Sequence, residues 1–294
     1  MKKFFYYILA SPIYLFTLLP FPVFYLVCDI FYFITYYLIG YRKEVVYTNL
    51  RHAFPEKTEN EIDRIAKKYY HFMIDFFMET FKLLTITEKQ LKERVLFDDL
   101  SMVNELKKRK QNFLWVIGHF GNWEWCGQSF QLLHIFQQDV IYRPLSSPFF
   151  EWLMIKVRTR FGVRVLPMNT SLREMTRRKN LLNATAFVAD QAPANPRDAY
   201  WTNFLNQDTS VFIGTERIAK MFNYPVIYAS IKREKRGYYK ACFHKICDDP
   251  KSTPEGFITE THTRMLEEDI RQQPEIWLWS HRRWKHKKIN KFIA

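Results

Sequence analysis

The sequence predicts an α/β fold: a mainly parallel central sheet flanked by helices, preceded by an N-terminal hydrophobic helical segment suited to membrane anchoring. Three observations lead there. From about residue 112 onward, short apolar runs rich in β-branched and aromatic residues alternate with helical patterns, the order that gives parallel strands joined by helices. Residues 4–41 carry a single charge, Asp29. No internal repeat is visible, and 294 residues with 48% apolar side chains suffice for one large domain plus an appendage. The expected division is an anchor over residues 1–41 and a single domain over 42–294.

The first segment, FFYYILASPIYLFTLLPFPVFYLVCDIFYFITYYLIGY, exceeds the roughly 20 apolar residues that cross a bilayer. Pro12, Pro20 and Pro22 interrupt it, so one straight helix is not expected, and its Tyr and Phe content suits the membrane interface as well as the interior. A cleaved signal peptide fits poorly, because the apolar stretch is too long and no small-x-small site follows it. Next, Thr58 and Glu61 stand at capping-box spacing before an amphipathic helix. Strands are expected at residues 112–118, 139–142, 163–166, 185–189, 225–231 and 238–246, the last two as an antiparallel hairpin.

The net charge of +14 calls for an acidic partner or surface. No zinc finger, RNP-like or helix-turn-helix signature supports nucleic acid, whereas an anionic membrane face agrees with the apolar N-terminus. The closing HRRWKHKKINKFIA holds six Lys/Arg and no acid, and reads equally as a solvated tail or as a contact for lipid phosphates. Cys28, Cys126, Cys242 and Cys247 form no disulfide framework. The ACFHKIC stretch spaces Cys242, His244 and Cys247 like metal ligands, but its alternation is that of an ordinary strand.

The stretch GHFGNWEW, residues 118–125, carries the chemistry. On a continuous helix an interval of five residues turns the chain through about 500°, so His119 and Glu124 meet only if the backbone bends between them. NFLWVIG reads as a buried strand ending at His119, Gly121 permits a sharp turn, and Asn122 is a good N-cap for the helix that follows. Glu124 then lies in the first helical turn, where its carboxylate is expected to fold back beneath His119, fix one imidazole nitrogen and free the other as a base. His119, Arg143 and Asp190 each fall just past a strand end, the rim where such folds bind ligands. Arg143 has the donor fork to hold an oxyanion or phosphate, and Asp190 is placed to orient Arg143 or an acceptor head group. Individually, each also has an ordinary reading, Arg143 as a strand-end cap and Asp190 as the start of a turn before Pro193.

These residues resemble the late acyltransferases of lipid A biosynthesis, the lauroyl/myristoyl transferase group within the glycerolipid acyltransferase superfamily and its H-x-x-x-x-[DE] motif. The resemblance runs nearly end to end: YRKEVVYTNLRHAFPE with Arg42, Asn49, Leu50, Phe54 and Pro55; GHFGNWEW; YRP; FVADQAP; VFIGTERIAK with Gly214 and Thr215; and WLWSHRRWK. Glu at the motif's end, and ADQ where glycerol-3-phosphate enzymes carry PEGTR, favour the lipid A group. The resemblance implies a glycerolipid acyltransferase-like fold and acyl transfer from an acyl carrier protein thioester to a hydroxyl of an anionic lipid acceptor, on the cytoplasmic face of the bacterial inner membrane. It makes His119 the base and Glu124 its support, with Arg143, Asp190 and Gln191 at the substrates. No acyl-enzyme, metal, nucleotide or other cofactor is implied, and no nucleic-acid partner. The chain is compact for the group, and other acceptors (ornithine lipid, glycolipid, lysophospholipid or a polyene-type lipid) would suit the same site; the alternative of a different class, a non-catalytic basic scaffold at the membrane, is disfavoured by the joint presence of the dyad, Arg143 and Asp190.

Overall fold

A computed structural model of the chain describes residues 2–288. The apolar N-terminus is broken in two, α1 (Lys2–Leu18) and α2 (Phe21–Phe33), the latter running on as a π-helical stretch to Ile39. Pro20 and Pro22 cause the break by withholding backbone donors. The carbonyls freed at the end of α1 are taken up by the Lys82 ammonium, 2.6 Å from the Thr17 oxygen and 2.7 Å from that of Leu19. Lys82 belongs to α4 (Glu59–Lys82), which follows α3 (Lys43–Ala53) and starts at the capping box of Thr58 and Glu61.

The remaining elements build the sheet and its cover. In order they are α5 (Glu88–Arg94), β1 (Val95–Phe97), α6 (Ser101–Lys108), β2 (Phe113–Ile117), α7 (Trp123–Gln131), β3 (Gln137–Tyr142), α8 (Pro148–Thr159), β4 (Arg164–Pro167), α9 (Ser171–Arg177) and β5 (Asn183–Val188). Then come β6 (Tyr200–Phe204), β7 (Gln207–Val211), α10 (Gly214–Phe222), β8 (Val226–Lys235), β9 (Tyr238–Cys247) and α11 (Phe257–Gln272). The seven-stranded sheet runs β1-β9-β8-β2-β5-β3-β4. Strands β8, β2, β5, β3 and β4 are mutually parallel, and β9 and β1 run the other way at one edge. β2 is buried along its whole length, as a central parallel strand covered on both faces must be.

Two features depart from the strands expected. β1 is a three-residue edge strand, too short to give a periodic signal. β6 and β7 form a separate antiparallel hairpin whose two-residue loop, Leu205 and Asn206, takes positive φ at both positions. That is the backbone of a type I′ turn, but without the glycine that usually advertises it. The ACFHKIC stretch is part of β9.

Candidate active site

β2 delivers His119 to the carboxyl rim of the sheet, and the turn after it is tightly specified. Gly121 has φ +63°, and a Cβ there would come within 2.8 Å of the Ile231 carbonyl oxygen, so only glycine fits. Asn122 caps α7 by accepting from the Trp125 amide at 2.9 Å, while its own amide donates to Glu79 at 2.7 Å. Glu79 is buried on α4 and also accepts from Tyr25 of α2 and Tyr239 of β9, both at 2.7 Å; burial pushes its carboxyl up. The turn is thus tied to the N-terminal helices by side-chain hydrogen bonds.

The C-terminal WLWSHRR segment clamps the same turn from the other side. Phe120 bridges Trp277, Gly121 N–H donates to the Ile276 carbonyl at 3.0 Å, and Leu278 N–H donates to the His119 carbonyl at 3.1 Å. This segment is held in turn by Arg42 and Asn49, which donate to the Ser280 carbonyl at 3.0 Å and to the Trp279 carbonyl at 2.8 Å. Motifs at opposite ends of the chain therefore meet beneath His119.

The imidazole is fixed by Asp190. Nδ1 lies 2.6 Å from Asp190 Oδ1, and the His119 amide and the Trp277 indole donate to Oδ2 at 2.9 and 2.7 Å. Because a carboxylate only accepts, the proton stays on Nδ1 and Nε2 keeps its lone pair. Asp190 is only 8% exposed. Burial opposes its charge, but the adjacent His119 ring and the hydrogen bonds from that ring, Trp277 and the His119 amide outweigh it and hold the carboxyl well below the usual carboxylate range. Gln191 places its amide nitrogen 3.1 Å from His119 Nε2, and Trp123 sets its ring edge-on to the imidazole at 4.8 Å.

Glu124 does not hold the imidazole, which corrects the arrangement expected from spacing. It occupies the first turn of α7 as anticipated, but its carboxylate is gripped by Arg158 of α8, whose Nη2 lies 2.6 Å from Oε1 and whose Nε lies 3.1 Å from each oxygen. The guanidinium fork satisfies the carboxylate, whereas the ring nitrogen facing away from the cleft is already taken by Asp190. Asp190, for its part, bonds the His119 ring, the His119 amide and the Trp277 indole rather than Arg143.

His119, Glu124, Arg143 and Gln191 line one cleft of about 570 Å³. This is within the usual ~300–1,000 Å³ of a small-molecule site. Arg143 is exposed at its mouth, just past β3. The interior is walled by Trp115 and Ile117 of β2, Val140 of β3, and Ala186 and Val188 of β5.

Three participants escaped the sequence reading. Arg158 lies in an unremarkable amphipathic helix and offered no signal. Trp277 and Arg283 stand in the quoted WLWSHRR block without a readable role. Arg283, expected in a solvated or lipid-facing tail, is 2% exposed and lines a void of about 10 Å³ behind Asp190 together with His262. That void is roughly the size of one water. Burial lowers Arg283 to about 10 and His262 to about 4, with the Asp190 charge opposing both shifts. Trp284 donates to the Thr209 hydroxyl and His286 to the Pro193 carbonyl, whereas Arg282, Lys285, Lys287 and Lys288 are exposed; residues 289–294 of the basic run lie outside the described residues. No group of three or more His, Cys, Asp or Glu able to hold a metal occurs among the described residues.

Over residues 2–286 the chain matches the bacterial lipid A biosynthesis acyltransferase family. It is 23% identical over 254 residues to the lipid A biosynthesis lauroyltransferase of Escherichia coli (strain K12), covering 83% of this chain and 79% of that protein.

Proposed function

This chain belongs to the bacterial lipid A biosynthesis acyltransferase family, and from that premise we propose that it moves a fatty acyl chain from an acyl carrier protein thioester to a hydroxyl of a lipid A precursor. The observation that carries the reading is His119: Nδ1 is locked by Asp190 while Nε2 faces an apolar-walled cleft. The acceptor hydroxyl takes the place Gln191 now holds against Nε2 and gives up its proton as its oxygen attacks the thioester carbon. The tetrahedral intermediate collapses with loss of the thiolate, which recovers the proton from the imidazolium that Asp190 stabilises. No acyl-enzyme is required. Arg143 offers its charge at the cleft mouth to the thioester oxyanion or to a lipid phosphate.

In an assay with acyl carrier protein thioesters and lipid A precursor, His119→Ala is expected to lower turnover roughly 10²–10⁴-fold without unfolding the protein. Ornithine lipid, glycolipid and lysophospholipid acceptors run in parallel decide the acceptor class. Near-normal transfer by His119→Ala would sink the mechanism.

Residues 4–41 hold the enzyme on the cytoplasmic face of the inner membrane, where the donor is available. The helix Phe21–Ile39 is long and apolar enough to cross a membrane, yet its Asp29 pairs with His71 and Arg236, while Leu26, Ile30 and Leu38 are exposed. A helix with one flank tied to the domain and an apolar flank outward suits the interfacial plane. Leu26→Ser, Ile30→Ser and Leu38→Ser together should weaken partition into anionic vesicles by at least about 10³-fold, since burying each large aliphatic chain contributes about 1.5–3 kcal/mol. Unchanged partition would leave the basic surface as the anchor.

A further inference from the structure

We propose that Gly127 sets the length of acyl chain the cleft accepts, by keeping open the depth that any side chain at this position would fill. The proposal rests on the acyl-transfer reading and adds the residue that decides its donor specificity. α7 runs back along the sheet from the His119 end, and Trp123, Glu124, Gly127 and Gln128 face the cleft at the spacing of one helix face. Gly127 lies four residues beyond Trp123, about 6 Å farther along the helix from the His119 end.

Gly127 is buried, yet a Cβ built on it would find no heavy atom within 4 Å. Gly118 differs: there a Cβ would meet Leu266 Cδ1 at 2.6 Å, so close packing explains that glycine. Glycine weakens a helix interior, and at Gly127 neither packing nor a positive φ calls for it. What its missing side chain leaves is enclosed space. The sheet side of the same cleft is apolar: Trp115 and Ile117 of β2 stand in register with Ala186 and Val188 of β5. The Glu124–Arg158 pair on the same side neutralises itself, so no net charge from it faces a hydrocarbon chain.

The test uses purified Gly127→Ala, Gly127→Val and Gly127→Leu, all stable because alanine and leucine favour helix and the added atoms enter empty space. Each is assayed with acyl carrier protein thioesters of increasing even chain length. In parallel, free fatty acids of the same lengths are titrated against the fluorescence of the tryptophans, of which Trp115 and Trp123 line the cleft. The preferred chain should shorten in the order Ala, Val, Leu, with kcat/KM for the longest chains falling at least about 10-fold relative to shorter ones for each excluded methylene. The longest fatty acid bound should shorten in step. An unchanged chain-length profile, or an equal loss at every length, would overturn the role of Gly127. Wild-type protein that binds fatty acids without transferring an acyl chain would sink the acyl-transfer reading instead, and the binding series would then decide Gly127 by itself.

Discussion

Asp190→Asn should cost turnover roughly 10⁴-fold, as replacing the orienting aspartate of a catalytic histidine does elsewhere. The geometry says why the amide fails. Two N–H groups, from Trp277 and the His119 backbone, converge on Oδ2, so the amide oxygen of an asparagine must settle there. Its NH₂ then faces His119 Nδ1 at the position of Oδ1 and forces the ring into the other tautomer. The proton moves to Nε2, and the lone pair that would accept the hydroxyl proton is gone. The protein should remain folded, because the same three contacts are all still made. The double variant His119→Ala/Asp190→Asn should be scarcely slower than either single one, since groups that act as a unit are not additive. Multiplicative losses, measured as kcat/KM on the same donor and acceptor, would mean that the two residues do separate work.

Arg158→Met should destabilise the fold by about 3–5 kcal/mol, the usual consequence of removing one partner from a buried ion pair. Glu124 is 9% exposed and three of its contacts go to Arg158, so its carboxylate would be left desolvated and unpaired. Glu124→Gln strands the guanidinium in the same way, while burial opposes the charge that Glu124 at present sustains on Arg158. The double variant Glu124→Gln/Arg158→Met removes both charges and should regain most of the loss. Denaturant unfolding of the four proteins gives the coupling directly. Single variants as stable as the parent would show that the pair is solvated. A double variant no better than Arg158→Met would assign the loss to the packing of the arginine stem.

The parallel sheet was legible because β2, β3, β4 and β5 are short apolar runs between helical patterns, and each begins and ends within two residues of its expected place. That pattern also placed His119, Arg143 and Asp190 at the carboxyl rim, since parallel strands all end on one side. The hairpin β6–β7 was missed because Leu205 and Asn206 form its turn without glycine. Arg158 could not be anticipated, as nothing local distinguishes a helix cation that turns inward from one that stays in water.

The sequence by itself determined six of the seven strands of the main sheet, the broken apolar N-terminus, the capped turn after β2 and the candidate base. Each follows from local chemistry: β-branched runs, prolines without donors, an asparagine cap and a glycine free to take the positive φ of a sharp turn. Only the tertiary structure decided which carboxylate holds that base. Glu124 is five residues from His119 and Asp190 is 71, yet Asp190 meets the ring at 2.6 Å. β2 and β5 are neighbours in register, so their ends bring His119 and Asp190 side by side, and α7 carries Glu124 off to face α8. Side-chain direction at the end of a strand is set by the strand beside it, and that neighbour is a property of the fold.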